Sequence, residues 1–282
     1  MAKFFVSLDE TNPAKIREIL KSYGYSFVLQ GDNDIILEYF YGLKKRMLNS
    51  PSFNADDVMG VSLSLVSKKE KEDRLTLSKY FKDRKIPAFL SIDDSFLTDK
   101  HSYKILKKSK PIEDILEMAK NANFTGVKFK AFIYSSESKI IRDTVTKSLD
   151  TAKKIIKMSL VPLLEIEIDA RIADRMEAER KLAEFLLEKK KTLKDEKIAL
   201  SFSLPLNAET YDDIAKEESV LFALGYSSED KDDSLIEKYK NEKKLTPTFT
   251  SSSTSKLNVA MSDDEFNNVI DNIFSSLKNI QH

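Results

Sequence analysis

Two short apolar runs carry charges at alternate positions. Gly126–Phe132 holds Lys128 and Lys130, and Val161–Ile168 holds Glu165 and Glu167. A strand turns successive side chains to opposite faces, so each pair shares one face. The exposed face of an antiparallel sheet would account for such charges. A barrel strand has no solvated face along its middle, so there the charges would point into the mouth and pair. Paired in this way, they form an ion-pair network or carry out proton transfer through Lys128, Glu165 and Glu167. Other runs end in further polar groups: Asp9 after Phe4–Leu8, Ser91 and Asp93 around the end of Pro87–Ile92, and Ser201 and Ser203 in Lys197–Leu204. Asp9, Asp93, Glu165 and Glu167 could together serve as general acid and base, or as hard oxygen ligands for magnesium, although their spacing matches no recognised metal motif.

Composition removes several chemistries. The 282 residues include no cysteine, which excludes a disulfide framework, a thiolate nucleophile and any zinc site using sulfur. The two histidines, His101 and His282, are too few for a histidine-based zinc site, and a Ser-His-Asp triad would have to rest on His101. Lysine and arginine number 46 against 46 aspartate and glutamate, which lacks the basic footprint of a nucleic-acid binder or a polybasic membrane-surface protein. The N-terminal apolar run is too short for a signal peptide, and no stretch reaches the roughly 20 apolar residues that span a bilayer. The expected compartment is the cytoplasm.

Eight runs of strand type recur along the chain: Phe4–Leu8, Val58–Leu65, Pro87–Ile92, Gly126–Phe132, Val161–Ile168, Lys197–Leu204, Val220–Leu224 and Leu245–Thr250. Segments of helical period follow most of them, the clearest being Pro111–Asn121, Ser138–Met158, Arg171–Lys190 and Asp263–Ile280. In the last, Phe266, Val269, Ile270, Ile273, Phe274 and Leu277 fall on one face. Eight strands alternating with helices, with no Pro/Gly/Ser linker between them, predict a single (β/α)8 TIM barrel over residues 1–282. A doubly wound open sheet is the competing α/β arrangement, but neither G-x-G-x-x-G nor G-x-x-x-x-G-K-[ST] occurs to support it. In a barrel the reactive groups belong at the C-terminal strand ends, where the polar residues above fall.

Taken together, these segments resemble the bacterial class I fructose-bisphosphate aldolases over nearly the full chain. The most specific stretch is Arg46-Met47-Leu48-Asn49-Ser50-Pro51-Ser52-Phe53-Asn54. The likeness continues through Tyr80-Phe81, Ile86–Asp93, Gly126–Lys130, Leu160–Glu167, Leu200–Pro205, Gly225-Tyr226-Ser227 and Ser262–Asn267. The resemblance implies a metal-independent lyase of glycolysis, with no metal and no cofactor expected. In it, a lysine on the sixth strand forms a Schiff base with a ketose phosphate, and the iminium draws electrons from the adjacent C–C bond. Asp9, Lys128, Glu165 and Glu167 match the family's assisting aspartate, lysine and glutamate positions.

The departures bear on the chemistry directly. Where the family has its Schiff-base lysine, this chain reads Leu200-Ser201-Phe202-Ser203-Leu204-Pro205, with Ser201 at the lysine position. A serine hydroxyl cannot form an imine. Ser91 replaces a lysine two residues before Asp93, and Lys130 replaces an arginine, a weaker clamp than a bidentate guanidinium. Ala223-Leu224-Gly225-Tyr226 replaces a Ser-Gly-Gly turn whose amides approach phosphate, and Ser251-Ser252-Ser253 replaces the family's phosphate-gripping arginine. Thr11-Asn12-Pro13 stands in for a glycine- and serine-rich loop.

Nucleophile and phosphate grips are lost together, so the expectation is an inactive aldolase-like paralogue, with sugar-phosphate binding weakened or lost. Ser91, Asp93, Lys130, Gly225, Tyr226 and Ser251 are the candidate substrate contacts. A protein partner or a homo-oligomer could then supply its role. The alternative is an active sugar-phosphate aldolase with a relocated nucleophile, Lys128, against which a neighbouring carboxylate weighs because it stabilises the ammonium form. Other features read as structural: Tyr39-Phe40-Tyr41 as core or subunit contact, Leu186-Leu187 as core, Glu188–Lys191 as a solvated helix end, His101 as a surface residue and Ser251–Ser255 as a rim loop.

Overall fold

The computed structural model describes residues 3–25, 32–65, 67–92, 96–98, 103–106, 112–193, 196–226, 244–250 and 257–279. Its strands are β1 (Phe4–Leu8), β2 (Val58–Leu63), β3 (Ala88–Ser91), β4 (Phe96–Thr98), β5 (Tyr103–Leu106), β6 (Gly126–Ile133), β7 (Val161–Ile168), β8 (Ile198–Ser203), β9 (Val220–Tyr226) and β10 (Thr246–Thr250). The order β3-β2-β1-β10-β9-β8-β7-β6, with β3 pairing β6 in return, closes eight parallel strands into a (β/α)8 barrel. The helices are α1 (Pro13–Ser22), α2 (Asn33–Leu48), α3 (Lys68–Glu72), α4 (Arg74–Asp83), α5 (Ile112–Asn121), α6 (Ser138–Lys157), α7 (Arg175–Lys189), α8 (Asp212–Ala215) and α9 (Asp263–Asn279). None of the described helices is long and apolar enough to cross a membrane.

The eight expected strands are all present, with ends within two residues of those read from the sequence. Two more strands were not expected. β4 and β5 pair antiparallel, Phe96 opposite Leu106, and β5 continues antiparallel onto β6, Tyr103 opposite Ile133. The helix expected from Arg171 starts at Arg175 instead. Its first residues are drawn into a turn, because Asp169 Oδ1 accepts from both the backbone amide and Nε of Arg171 at 2.9 Å.

The chain forms two compact units. In the first, holding β1, β2, β10, α1–α4 and α9, the apolar face of α9 covers the strands. Phe274 lies 4.5 Å from the ring of Phe4 and 5.3 Å from that of Phe249. Arg46 ties α2 to the start of α9: it donates to the Met261 carbonyl at 2.5 Å, pairs with Asp263 at 3.1 Å and lies over the Phe266 ring. Asn54 closes a turn by accepting from the amides of Asp56 and Asp57. The stretch from Arg46 to Asn54 thus anchors helices and turns. Asn12 caps α1 by accepting from the Ala14 amide, with Pro13 supplying a preset φ at the first helical position.

In the second unit, β6–β9 turn one face to helices and the other inward. Val127, Phe129, Ala131, Leu164, Ile166, Leu200 and Phe202 form the helix-facing side, and α6 buries Ile141, Val145, Leu149 and Ile155 on β6 and β7. The opposite face changes character along the strands. It begins with Phe89, Gly126, Leu163, Ala199 and Phe222 and ends with Ser91, Lys128, Lys130, Glu165, Glu167, Ser201 and Tyr226. Gly126 is required at the apolar end, since a Cβ there would come within 2.1 Å of the Val161 carbonyl oxygen and 2.7 Å of the Phe89 ring. Phe89 and Phe222 meet edge to face at 6.1 Å.

Candidate functional site

Strand register brings the polar residues of the second unit together. Ser91 lies opposite Lys128, Lys130 opposite Glu165, Glu165 opposite Ser201, and Ser203 opposite Tyr226. Pairing across adjacent strands holds such positions about 5 Å apart on one face. Glu165 is the hub. Its Oε2 lies 2.6 Å from Lys128 Nζ and its Oε1 2.6 Å from Lys130 Nζ. Lys130 also reaches Glu167 at 3.5 Å. The charged pairs expected from alternation therefore do converge.

Burial grades this cluster. The side chains of Lys128 and Glu165 are each 5% exposed, those of Lys130 and Glu167 21% and 23%. A buried carboxylate would be costly alone, and the two ammonium groups compensate it. The outer pair is the end that solvent reaches. There Lys130 Nζ lies 5.2 Å from the centre of the Phe132 ring and 5.9 Å from that of Tyr226, within range of cation–π attraction. Phe132 stacks on Tyr134 at 5.8 Å with 15° between the rings. Burial, together with the charges of Glu167 and Asp169, pushes the Tyr134 phenol up, so it keeps its proton. The Asp169 carboxyl is pulled down by its hydrogen bond from exposed Arg171.

No family model matches this sequence.

Of the other expected site residues, Ser201 is 2% and Ser91 7% exposed on the same face as the cluster. Gly225 lies within β9 opposite Phe202, on the helix-facing side of the strand, whereas Tyr226 lies on the inner side. Asp93 and Ser251 lie outside the described residues, as do His101 and His282. Asp9 belongs to the first unit, where its Oδ1 accepts from Ser7 Oγ at 2.6 Å, and Ser7 in turn accepts from Ser62 Oγ at 3.1 Å. Among the described residues no group of three or more histidines and carboxylates is placed to hold a metal ion. Glu165, one of the candidate oxygen ligands, already has an ammonium at each oxygen.

Sequence reasoning missed two buried charged assemblies. Lys44 of α2, 1% exposed, pairs with Glu70 at 2.9 Å and donates to Ser64 Oγ at 3.1 Å and to the Ser64 carbonyl at 3.3 Å. In the second unit, Arg175 and Glu179 staple the chain just after β8. Arg175 Nη2 donates to the Leu204 carbonyl at 2.7 Å, Glu179 Oε1 accepts from Arg175 Nε at 2.8 Å, and Glu179 Oε2 accepts from the Leu206 amide at 2.9 Å. Burial pushes the Glu179 carboxyl up, against the pull of the Leu206 amide and Arg175. The aromatic pair Phe132–Tyr134 was missed too, although it continues the Lys128, Lys130 alternation to the residue just beyond β6.

Proposed function

We propose that this chain is an aldolase-type barrel that has lost the covalent step and retains a binding role. The observation that carries the reading is the partner of Glu165 across β8, a buried serine, Ser201, at the position matched to the Schiff-base lysine. A hydroxyl there can donate or accept a hydrogen bond but cannot become an iminium. The amines gathered on Glu165 are no substitute. Lys128 is held 2.6 Å from a carboxylate, which stabilises the ammonium, while attack on a carbonyl needs the free amine. Lys130 is flanked by two carboxylates. Among the described residues of the cluster, the groups that remain can hydrogen-bond a ligand and hold it in place, while both amines are held by carboxylates.

The test is borohydride trapping with fructose 1,6-bisphosphate followed by intact mass. The native chain is expected to give no adduct and no cleavage. An adduct on the native chain, mapped to Lys128 or any other lysine, would overturn the loss of the covalent step.

A further inference from the structure

The ligand chemistry follows from how charge and rings are arranged at the accessible end of the second unit's cluster. Along β6 and β7, the inner and rim positions hold Lys128 and Lys130 against Glu165 and Glu167, with Asp169 tied to Arg171 at 2.6 Å just beyond. Three cations stand against three anions. A phosphate entering here would meet Glu167 as well as Lys130 and would have to compete with carboxylates that the lysines already hold at hydrogen-bond distance. A ligand rich in hydroxyls faces no such conflict, because each hydroxyl both donates and accepts and can join a lysine donor and a glutamate acceptor at once. The same end also carries an aromatic stack. Phe132 and Tyr134 stack within 15° of parallel and are each only partly buried. A sugar ring has C–H faces suited to such a surface and a rim of hydroxyls suited to the charged pair beside it.

Building on the binding role argued above, we propose that the C-terminal ends of β6 and β7 hold an uncharged sugar, its ring against Phe132 and Tyr134 and its hydroxyls bonded by Lys130 and Glu167. Tyr134 keeps its proton at neutral pH and is a further donor to the ring hydroxyls.

Saturation-transfer NMR on the full 282-residue chain tests this, with D-glucose, D-galactose and D-fructose as probes and fructose 1,6-bisphosphate as the charged comparator. Irradiating the aromatic protons is expected to transfer saturation to ring C–H protons of at least one neutral sugar. Its Kd is expected to change less than about twofold between roughly 50 and 500 mM salt, as befits an uncharged ligand. Tyr134→Ala and Glu167→Gln should each weaken binding about tenfold or more, in line with the loss of a stacking surface or a charge-assisted hydrogen bond. Both side chains are partly exposed, and the salt series on the unaltered chain needs no variant. Lack of transfer to all three sugars overturns the inference, as does a bisphosphate that binds more than about tenfold tighter with affinity falling steeply with salt. The adduct assay reads separately. Transfer with a lysine adduct keeps the neutral-sugar site and overturns the loss of catalysis, whereas neither transfer nor adduct does the reverse.

Discussion

Each unit buries a lysine–glutamate pair, and the two pairs differ in what surrounds them. Lys44–Glu70 in the first unit is sealed. Both side chains are 1% exposed, and the remaining lysine donors go to Ser64. The Glu70 amide is itself held by Ser67 Oγ at 2.9 Å, the cap of the short helix α3. Lys128–Glu165 in the second unit is just as deep but open at one end. The second oxygen of Glu165 is passed on to Lys130, and through it to Glu167, which solvent reaches. A sealed pair fixes one element against another. A chained pair carries the charge of a buried hub out to a surface where a ligand can meet it. Geometry at the hub alone would not distinguish them, at 2.9 and 2.6 Å; what distinguishes them is where the next partner lies.

The largest effect that bears on this contrast is the removal of each hub carboxylate. Glu165→Ala leaves two ammonium groups facing each other and is expected to cost about 5 kcal/mol, against about 3–4 kcal/mol for Glu70→Ala, which strands one. Urea unfolding measures both, and equal losses would break the distinction. Replacing both partners by apolar residues sharpens it further. Lys44→Met with Glu70→Leu should return to within about 1 kcal/mol of the native chain, since a sealed pair can be exchanged for packing. Lys128→Met with Glu165→Leu should stay roughly 2 kcal/mol below, because Lys130 loses its 2.6 Å partner while remaining four-fifths buried. Full recovery of the second double variant would mean that Lys130 is indifferent to the hub.

At the outer end the expected effect on stability is smaller. Lys130→Met leaves Lys128 on the buried Glu165 carboxylate and is expected to cost about 1–2 kcal/mol, less than either hub substitution. Binding of a neutral sugar should fall by about tenfold or more. A loss of stability with unchanged sugar binding would reassign Lys130 to the scaffold.

Short apolar runs made the eight barrel strands legible, and alternation within two of them placed Lys128 with Lys130 and Glu165 with Glu167. It did not reveal β4, because three residues, Phe96–Thr98, are too few for a period to register. Lys44 was missed for a different reason. It belongs to an amphipathic helix, and its partner Glu70 is 26 residues away on another, so no local spacing joins them. A signal was present even so: Lys44 follows Phe40 by four and precedes Leu48 by four, which puts it on the buried face of α2. The Arg175–Glu179 spacing is a common surface pair on helices, and only the backbone groups of Leu204 and Leu206 turn it into a buried staple.

That staple provides a third buried carboxylate and the smallest of the expected effects. Glu179 has an arginine partner and a backbone amide, yet burial wins and its carboxyl is raised above the ordinary glutamate value. The folded chain therefore binds this proton more tightly than the unfolded chain does. The contribution of Glu179 to stability is greatest below the ordinary glutamate range and declines as pH rises from there through the raised value. Arg175 on α7 and Tyr211, just before α8, are the neighbouring groups that bear on it, and the phenol of Tyr211 is itself pushed well up by burial and by Glu179. Glu179→Gln should remove that part of the pH slope in a urea-midpoint series while keeping an acceptor for the Leu206 amide. An unchanged slope would mean that Arg175 compensates the charge fully. The staple would then resemble the sealed pair in the first unit more than the chained one in its own unit.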